Sequence, residues 1–161
     1  MPQNPRLHQK LIRRWLLLFI VCLILSGLTA FALETELTWL LDVWPMRRTG
    51  SLYGWVERVL AALKDINTRY PFLAYGYDWL AFAHLAIATA FIGPLRDPVR
   101  NKWVIEFGLI ACIGVFPLAF IAGAIRGIPI YWRLIDCSFG IIGLIPLGIC
   151  YRRIGLLEKI A

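Results

Sequence analysis

Long uncharged runs alternate along this chain with short basic or mixed-charge turns, and four of the runs are long enough to cross a lipid bilayer. The uncharged stretch WLLLFIVCLILSGLTAFAL lies between Arg14 and Glu34, and further runs cover 79–95, 107–125 and 137–151. With interfacial first turns added, the spans are expected at about 13–33, 77–95, 103–125 and 131–151. At about 1.5 Å per residue these lengths just match a hydrocarbon core of about 30 Å. Inside lipid every backbone donor needs a partner within its own segment, and the runs lack the alternation of a barrel strand. All four are therefore predicted to be helices.

The first run follows Arg6, Lys10, Arg13 and Arg14, the basic lead-in of a secretory signal peptide. Its apolar core exceeds the roughly 7–15 residues of such a signal, and Ala30-Phe31-Ala32 is a poor cleavage site. We read it as a retained first span.

Between the first and second spans lies the longest polar stretch, about 34–76, and it is patterned. From Leu52, apolar residues recur at Trp55, Val56, Val59, Leu60, Leu63 and Ile66, while Glu57, Arg58, Lys64 and Asp65 occupy the other face. That 3.6-residue period predicts an amphipathic helix over 51–66, with Thr49 or Ser51 placed to cap its start. Upstream, Leu37, Trp39, Leu40, Leu41, Val43 and Trp44 form a short apolar cluster ended by Pro45. Downstream, Tyr70, Phe72, Tyr75, Tyr77 and Trp79 make an aromatic girdle of the kind found at headgroup level.

The other connections are short. Gly93-Pro94-Leu95-Arg96-Asp97-Pro98 ends the second span, because each proline withdraws a donor and disfavours helix at the residue before it. Gly127-Ile128-Pro129 separates the third span from the fourth. Pro117, near the middle of the third span, is expected to kink it and free the carbonyl near Ile113, either to accommodate packing or to rim a cavity. Small residues recur along the spans: Ala81 and Ala88 beside His84, then Gly108, Cys112, Ala119 and Gly123, then Cys137, Gly140 and Gly143. They let backbones approach, which is how helices associate where lipid removes the usual apolar driving force.

Composition agrees with this reading. Of 161 residues, 60% are hydrophobic and only 17% charged, too apolar for a soluble domain of this length. The fold class is an all-α integral membrane protein, a small four-helix bundle in one membrane domain, with an external amphipathic helix between its first two spans. The net charge of +7 is distributed unevenly. The N-terminal tail, the 96–106 turn and the tail from Arg152 together hold 10 basic and 3 acidic residues; the 34–78 and 126–136 flanks together hold 7 of each. The basic excess faces the cytoplasm in multi-pass proteins, so both termini are expected there, in the plasma (inner) membrane. Attraction to anionic headgroups explains the charge without a nucleic-acid partner.

Few residues could carry chemistry. His84 is the histidine within a span, Asp78 and Asp136 are expected near the outer ends of their helices, close to Arg133 and Arg126, and Glu106 lies one turn into the third span. Ionisable groups at such depths are costly and often belong to ligand or proton sites. Asp78, His84, Arg133 and Asp136 are the ligand-binding candidates; His84 and Glu106 are the proton-handling candidates. Each has a plainer role as well. His84 could hydrogen-bond across a helix interface, the aspartates could pair with Arg126 or Arg133, and Glu106 could pair with Lys102 or reach toward water. Asp78 and His84 stand about 240° apart around a helix, which argues against a shared metal. Cys22, Cys112, Cys137 and Cys150 form no CxxC pair and read as small apolar residues. The chain has no GxSxG, HExxH, Walker A, GxGxxG or CxxCH motif. No cofactor and no metal is expected.

The leading expectation is a non-catalytic accessory or structural protein that associates with membrane lipids, another membrane subunit or its own copies. The alternative is a binding protein or enzyme for a lipid, quinone or isoprenoid-like amphiphile, with a site around His84 near the outer leaflet.

The charge pattern predicts an accessibility map. In a background with the four cysteines replaced, Lys64→Cys should react with an impermeant thiol reagent on intact cells. Gln9→Cys, Arg100→Cys and Lys159→Cys should react only after permeabilisation; external labelling at Arg100→Cys would contradict the orientation.

Overall fold

The computed structural model of the protein describes residues 5–43 and 50–159. Trp44, Pro45 and Thr49, assigned above to the apolar cluster and the helix cap, lie outside the described residues. Among those described the fold is entirely helical, with no strand. Helix α1 spans Pro5–Phe31, α2 Leu33–Asp42, α3 Ser51–Arg69, α4 Pro71–Ala90 and α5 Ile92–Arg96. Helix α6 spans Lys102–Pro117 and passes through a π-helical segment, Leu118–Ala122, into α7, Gly123–Ile125; α8 spans Ile130–Glu158. Four helical stretches are long and apolar enough to cross a membrane: Pro5–Phe31, Pro71–Arg96, Lys102–Ile125 and Ile130–Glu158.

The described residues cluster into two compact units, one drawn from Met1–Cys22 and Ala88–Ala161 and the other from Leu23–Ile87. In the first, α6 and α8 pack along a common seam. On α8 the buried positions Gly140, Gly143, Leu147, Cys150, Ile154 and Leu157 alternate steps of three and four residues, the spacing that keeps one stripe facing a partner helix. The α6 track runs through Ile105, Gly108 and Cys112 with the same steps. Glycine decides how close the helices come. A Cβ at Gly140 would lie 2.7 Å from the Cys112 backbone oxygen, and one at Gly143 would lie 2.7 Å from Cys112 Sγ. At Gly108 a Cβ would meet Phe91 at 2.7 Å and Leu147 at 2.8 Å.

The first part of α1 completes this unit. His8, Ile12, Leu16 and Ile20, spaced by four, are all buried, and Phe19 packs on Phe91 with ring centroids 4.8 Å apart. Cys150 Sγ donates to the Ile12 carbonyl at 3.7 Å, and Arg153 Nη1 donates to His8 Nδ1 at 3.3 Å. Lys102 closes the same end with an ion pair to Glu158 at 2.8 Å, its ammonium 4.9 Å from the Tyr151 ring centroid. Large apolar side chains lie on both sides of the seam. Gly108, Gly140 and Gly143 take the closest contacts of the seam beside buried Ile105, Leu147, Ile154 and Leu157, while Ile110, Ile113, Leu118, Phe139 and Ile142 point outward. A lipid environment accepts that arrangement, since outward apolar surface costs nothing there and tight packing supplies the cohesion. Pro146, buried in the seam, leaves α8 continuous.

In the second unit the end of α1 meets α4 at Gly27, where a Cβ would lie 3.0 Å from the Ala81 carbonyl oxygen and 3.2 Å from His84 Cβ. Helix α2 packs on α3, and Asn67 Nδ2 donates to the Glu34 carboxylate. The apolar stripe of α3 is buried at Val56, Leu60 and Leu63. Of the two caps expected, Ser51 lies inside the helix and Thr49 lies outside the described residues. Gly50 occupies the cap position at φ 121°, a conformation that L side chains rarely adopt, and Ser51 is the first helical residue.

The seam predicts opposite effects for two glycines on one helix. Gly140→Ala should lower the unfolding midpoint in detergent by an amount equivalent to about 1–3 kcal/mol, because backbone stands in the way of the new methyl. Gly148→Ala meets nothing within 4 Å and should be neutral or stabilising by about 0.5–1 kcal/mol. Thermal unfolding followed by circular dichroism compares them directly.

Candidate functional site

The seam tracks of α6 and α8 end in charged residues. On α8, stepping back from Gly140 by four and then three reaches Asp136 and Arg133; on the other helix, Cys112 leads through Val115, Ala119 and Ala122 to Arg126. Between these ends lies a cleft of about 260 Å³ lined by Val115, Leu118, Ala119, Ala122, Gly123, Arg126, Ile128 and Asp136.

Proline opens it. Pro117 has no amide to offer the Ile113 carbonyl, and the helix widens just beyond it, with Gly123 N–H bonding back five residues to the Leu118 carbonyl. The kink expected at Pro117 is realised as this π-helical segment, whose residues form one wall of the cleft. The chain then stops in a Schellman turn: Ile128 N–H bonds the Gly123 carbonyl at 2.9 Å and Gly127 N–H the Ala124 carbonyl at 3.1 Å, with Gly127 at φ 69°. This turn sets Arg126 and Ile128 at the cleft. Pro129 opens α8 immediately afterwards, which brings Arg133 and Asp136 to the same end of the unit.

The cleft is apolar except for Arg126 and Asp136. Among the described residues, Asp136 makes no ion pair with Arg126 or Arg133. The aliphatic stem of Arg133 rests on Gly123, where a Cβ would lie 2.7 Å from Arg133 Cδ. Its Nε is buried with no hydrogen-bond partner among the described residues. An unsatisfied guanidinium donor of this kind is costly.

The remaining sequence candidates stand elsewhere. Asp78 is exposed on α4 in the second unit. His84, half-buried at the Gly27 crossing in that unit, bonds through Nδ1 to the Leu80 carbonyl of its own helix at 2.8 Å rather than across the interface. Glu106 is exposed on α6, and Lys102 gives its ion pair to Glu158. Arg126 and His8 were not among the candidates. The three-four spacing carried both signals: Arg126 continues the α6 track, and His8 stands one step before Ile12 on the α1 stripe. Among the described residues no group of three His, Cys, Asp or Glu side chains is placed to hold a metal ion. The chain matches no protein-family model, and no curated protein or solved structure matches it.

The origin of the cleft is testable. Pro117→Ala supplies the missing amide, so the Ile113 carbonyl gains a donor and the segment gains about 1 kcal/mol of local stability. Amide exchange over 118–123 in the detergent-solubilised protein should slow about fivefold, while exchange over 140–150 stays unchanged.

Proposed function

We propose that this protein is a non-catalytic membrane protein that binds a lipid-like amphiphile in the cleft beside the π-helical segment. The carrying observation is the composition of that cleft: an apolar wall of Val115, Leu118, Ala119, Ala122 and Ile128 with Arg126 and Asp136 at its charged end. Small-molecule sites combine a largely apolar surface with a few fixed polar groups, and amphiphiles divide their own chemistry in the same way. The cleft opens on helices of spanning length, so an apolar tail can remain in lipid while a head reaches the charges.

Orientation completes the reading. We place both termini in the cytoplasm of a plasma (inner) membrane, because the end of the first unit that holds Arg6, Lys10, Arg13, Arg14, Arg96, Arg100, Lys102, Arg152 and Arg153 carries the basic excess. The cleft then faces the outer leaflet, and α2 and α3 form the external amphipathic segment. This reading moves the amphiphile site from His84 to Arg126, Arg133 and Asp136. Asp78, His84 and Glu106 have no part in it.

A second reading, an accessory component that engages another membrane subunit or its own copies, draws support from an exposed aromatic row. Tyr75, Trp79 and Phe82 touch edge to face, with both pairs of centroids 6.0 Å apart, and all three are more than half exposed. Light scattering in mild detergent that gives a monomer mass, together with native-membrane crosslinks that give no reproducible neighbour, would remove this second reading.

The amphiphile reading is checked by native mass spectrometry after gentle extraction. Wild-type protein should carry a retained lipid-mass adduct, and Ala122→Phe, which fills the cleft from its wall, should lose it. Identical spectra for the two proteins would overturn the assignment.

A further inference from the structure

Resting on the amphiphile reading, we infer that the cleft selects a phospholipid whose headgroup pairs a phosphate with a primary ammonium, as in phosphatidylethanolamine. Three observations lead there. Arg126 and Asp136 line one small cleft yet form no ion pair with each other, so a cation and an anion are both presented to whatever enters. Arg133 adds a buried Nε without an acceptor, its stem resting on Gly123 of the cleft wall. Finally, no aromatic ring occurs among the residues that line the cleft.

Each observation removes an alternative headgroup. The Arg126 guanidinium at the cleft calls for a phosphate, whose oxygens accept its planar, paired donors. A purely anionic headgroup such as phosphatidylglycerol offers no cation to the Asp136 carboxylate. Asp136 needs a cation, and the headgroup ammonium supplies it. A quaternary ammonium has no N–H to donate and is recognised by an aromatic cage, which these lining residues do not provide. A primary ammonium donates hydrogen bonds directly to the carboxylate. The apolar wall of Val115, Leu118, Ala119 and Ile128 takes the start of the acyl chains, which commits the site to a membrane lipid rather than to a free headgroup.

The experiment uses the full-length protein in detergent, titrated with phosphatidylethanolamine, phosphatidylcholine or phosphatidylglycerol of matched acyl chains. Bound lipid is read by native mass spectrometry. Wild type should retain phosphatidylethanolamine about tenfold better than either other lipid, the range expected of one hydrogen-bonded charge pair. Asp136→Asn should remove the preference over phosphatidylcholine while lipid is still bound. Arg126→Gln should weaken all three lipids together, and soluble phosphoethanolamine should not compete at the same concentration. Circular dichroism and size-exclusion profiles matching wild type qualify each variant; should either variant fail them, the wild-type comparison of the three lipids decides alone. Equal retention of all three by wild type, preference for phosphatidylglycerol, or a preference untouched by Asp136→Asn would overturn the headgroup assignment and leave amphiphile binding standing. Absence of any adduct sensitive to Ala122→Phe would instead overturn the amphiphile reading on which the assignment rests.

Discussion

The close approach of α6 and α8 is the constraint on which the first unit depends. Lipid-facing helices gain little from burying apolar surface, since the surrounding chains are equally apolar. What holds two of them together is the number of atoms brought into van der Waals range, and that number rises steeply as the backbones near one another. Gly108, Gly140 and Gly143 set this distance, with the Cys112 backbone oxygen and thiol, Phe91 and Leu147 filling the space that a side chain would take. The buried face of α1 and the ion pair of Lys102 with Glu158 then build onto a pair whose separation is already decided.

The same constraint accounts for the cleft. Two helices that pack tightly along a three-four seam stay in contact as long as both keep α geometry and small or apolar seam residues. Pro117 ends the first condition and the π-helical segment follows. Arg133 and Asp136 end the second, because charged side chains at seam positions do not interdigitate as Gly140 and Gly143 do. A departure in one helix therefore falls opposite a departure in the other, and the space between them becomes a lined cleft. Departures from local regularity of this kind are where a membrane protein can place function, because regular packing leaves no room for a ligand.

The two ends of the first unit handle charge differently. At one end, Lys102 and Glu158 satisfy each other and Arg153 donates to a buried His8, so charge is used to close the helix ends. At the other, Arg126, Arg133 and Asp136 share one neighbourhood with no ion pair formed among them. Holding opposite charges near one another but unpaired has an energetic cost, and a dipolar headgroup is the species that would offset it. The cell chemistry proposed here follows from that asymmetry more than from any single residue.

Helical character, four stretches of spanning length and the amphipathic stripe of α3 were legible in the sequence, because each depends on periodicity and hydrophobicity within one segment. The small residues of the seam were legible too, and so was the importance of Pro117, since proline withdraws its amide wherever it stands. Pairing between segments was not legible. That Asp136 would share a cleft with Arg126, that His84 would bond to its own helix, and that Lys102 would choose Glu158 over Glu106 depends on the rotation of each helix about its axis. Rotation is decided by contacts between residues far apart in the chain, such as Gly140 against Cys112 and Ile12 against Cys150. The hydrophobicity of a span is nearly uniform around its circumference and therefore carries little information about phase. Sequence determined which segments are helices and which could enter a membrane; the tertiary structure alone decided which faces meet, because that choice rests on steric fit between surfaces of almost equal polarity.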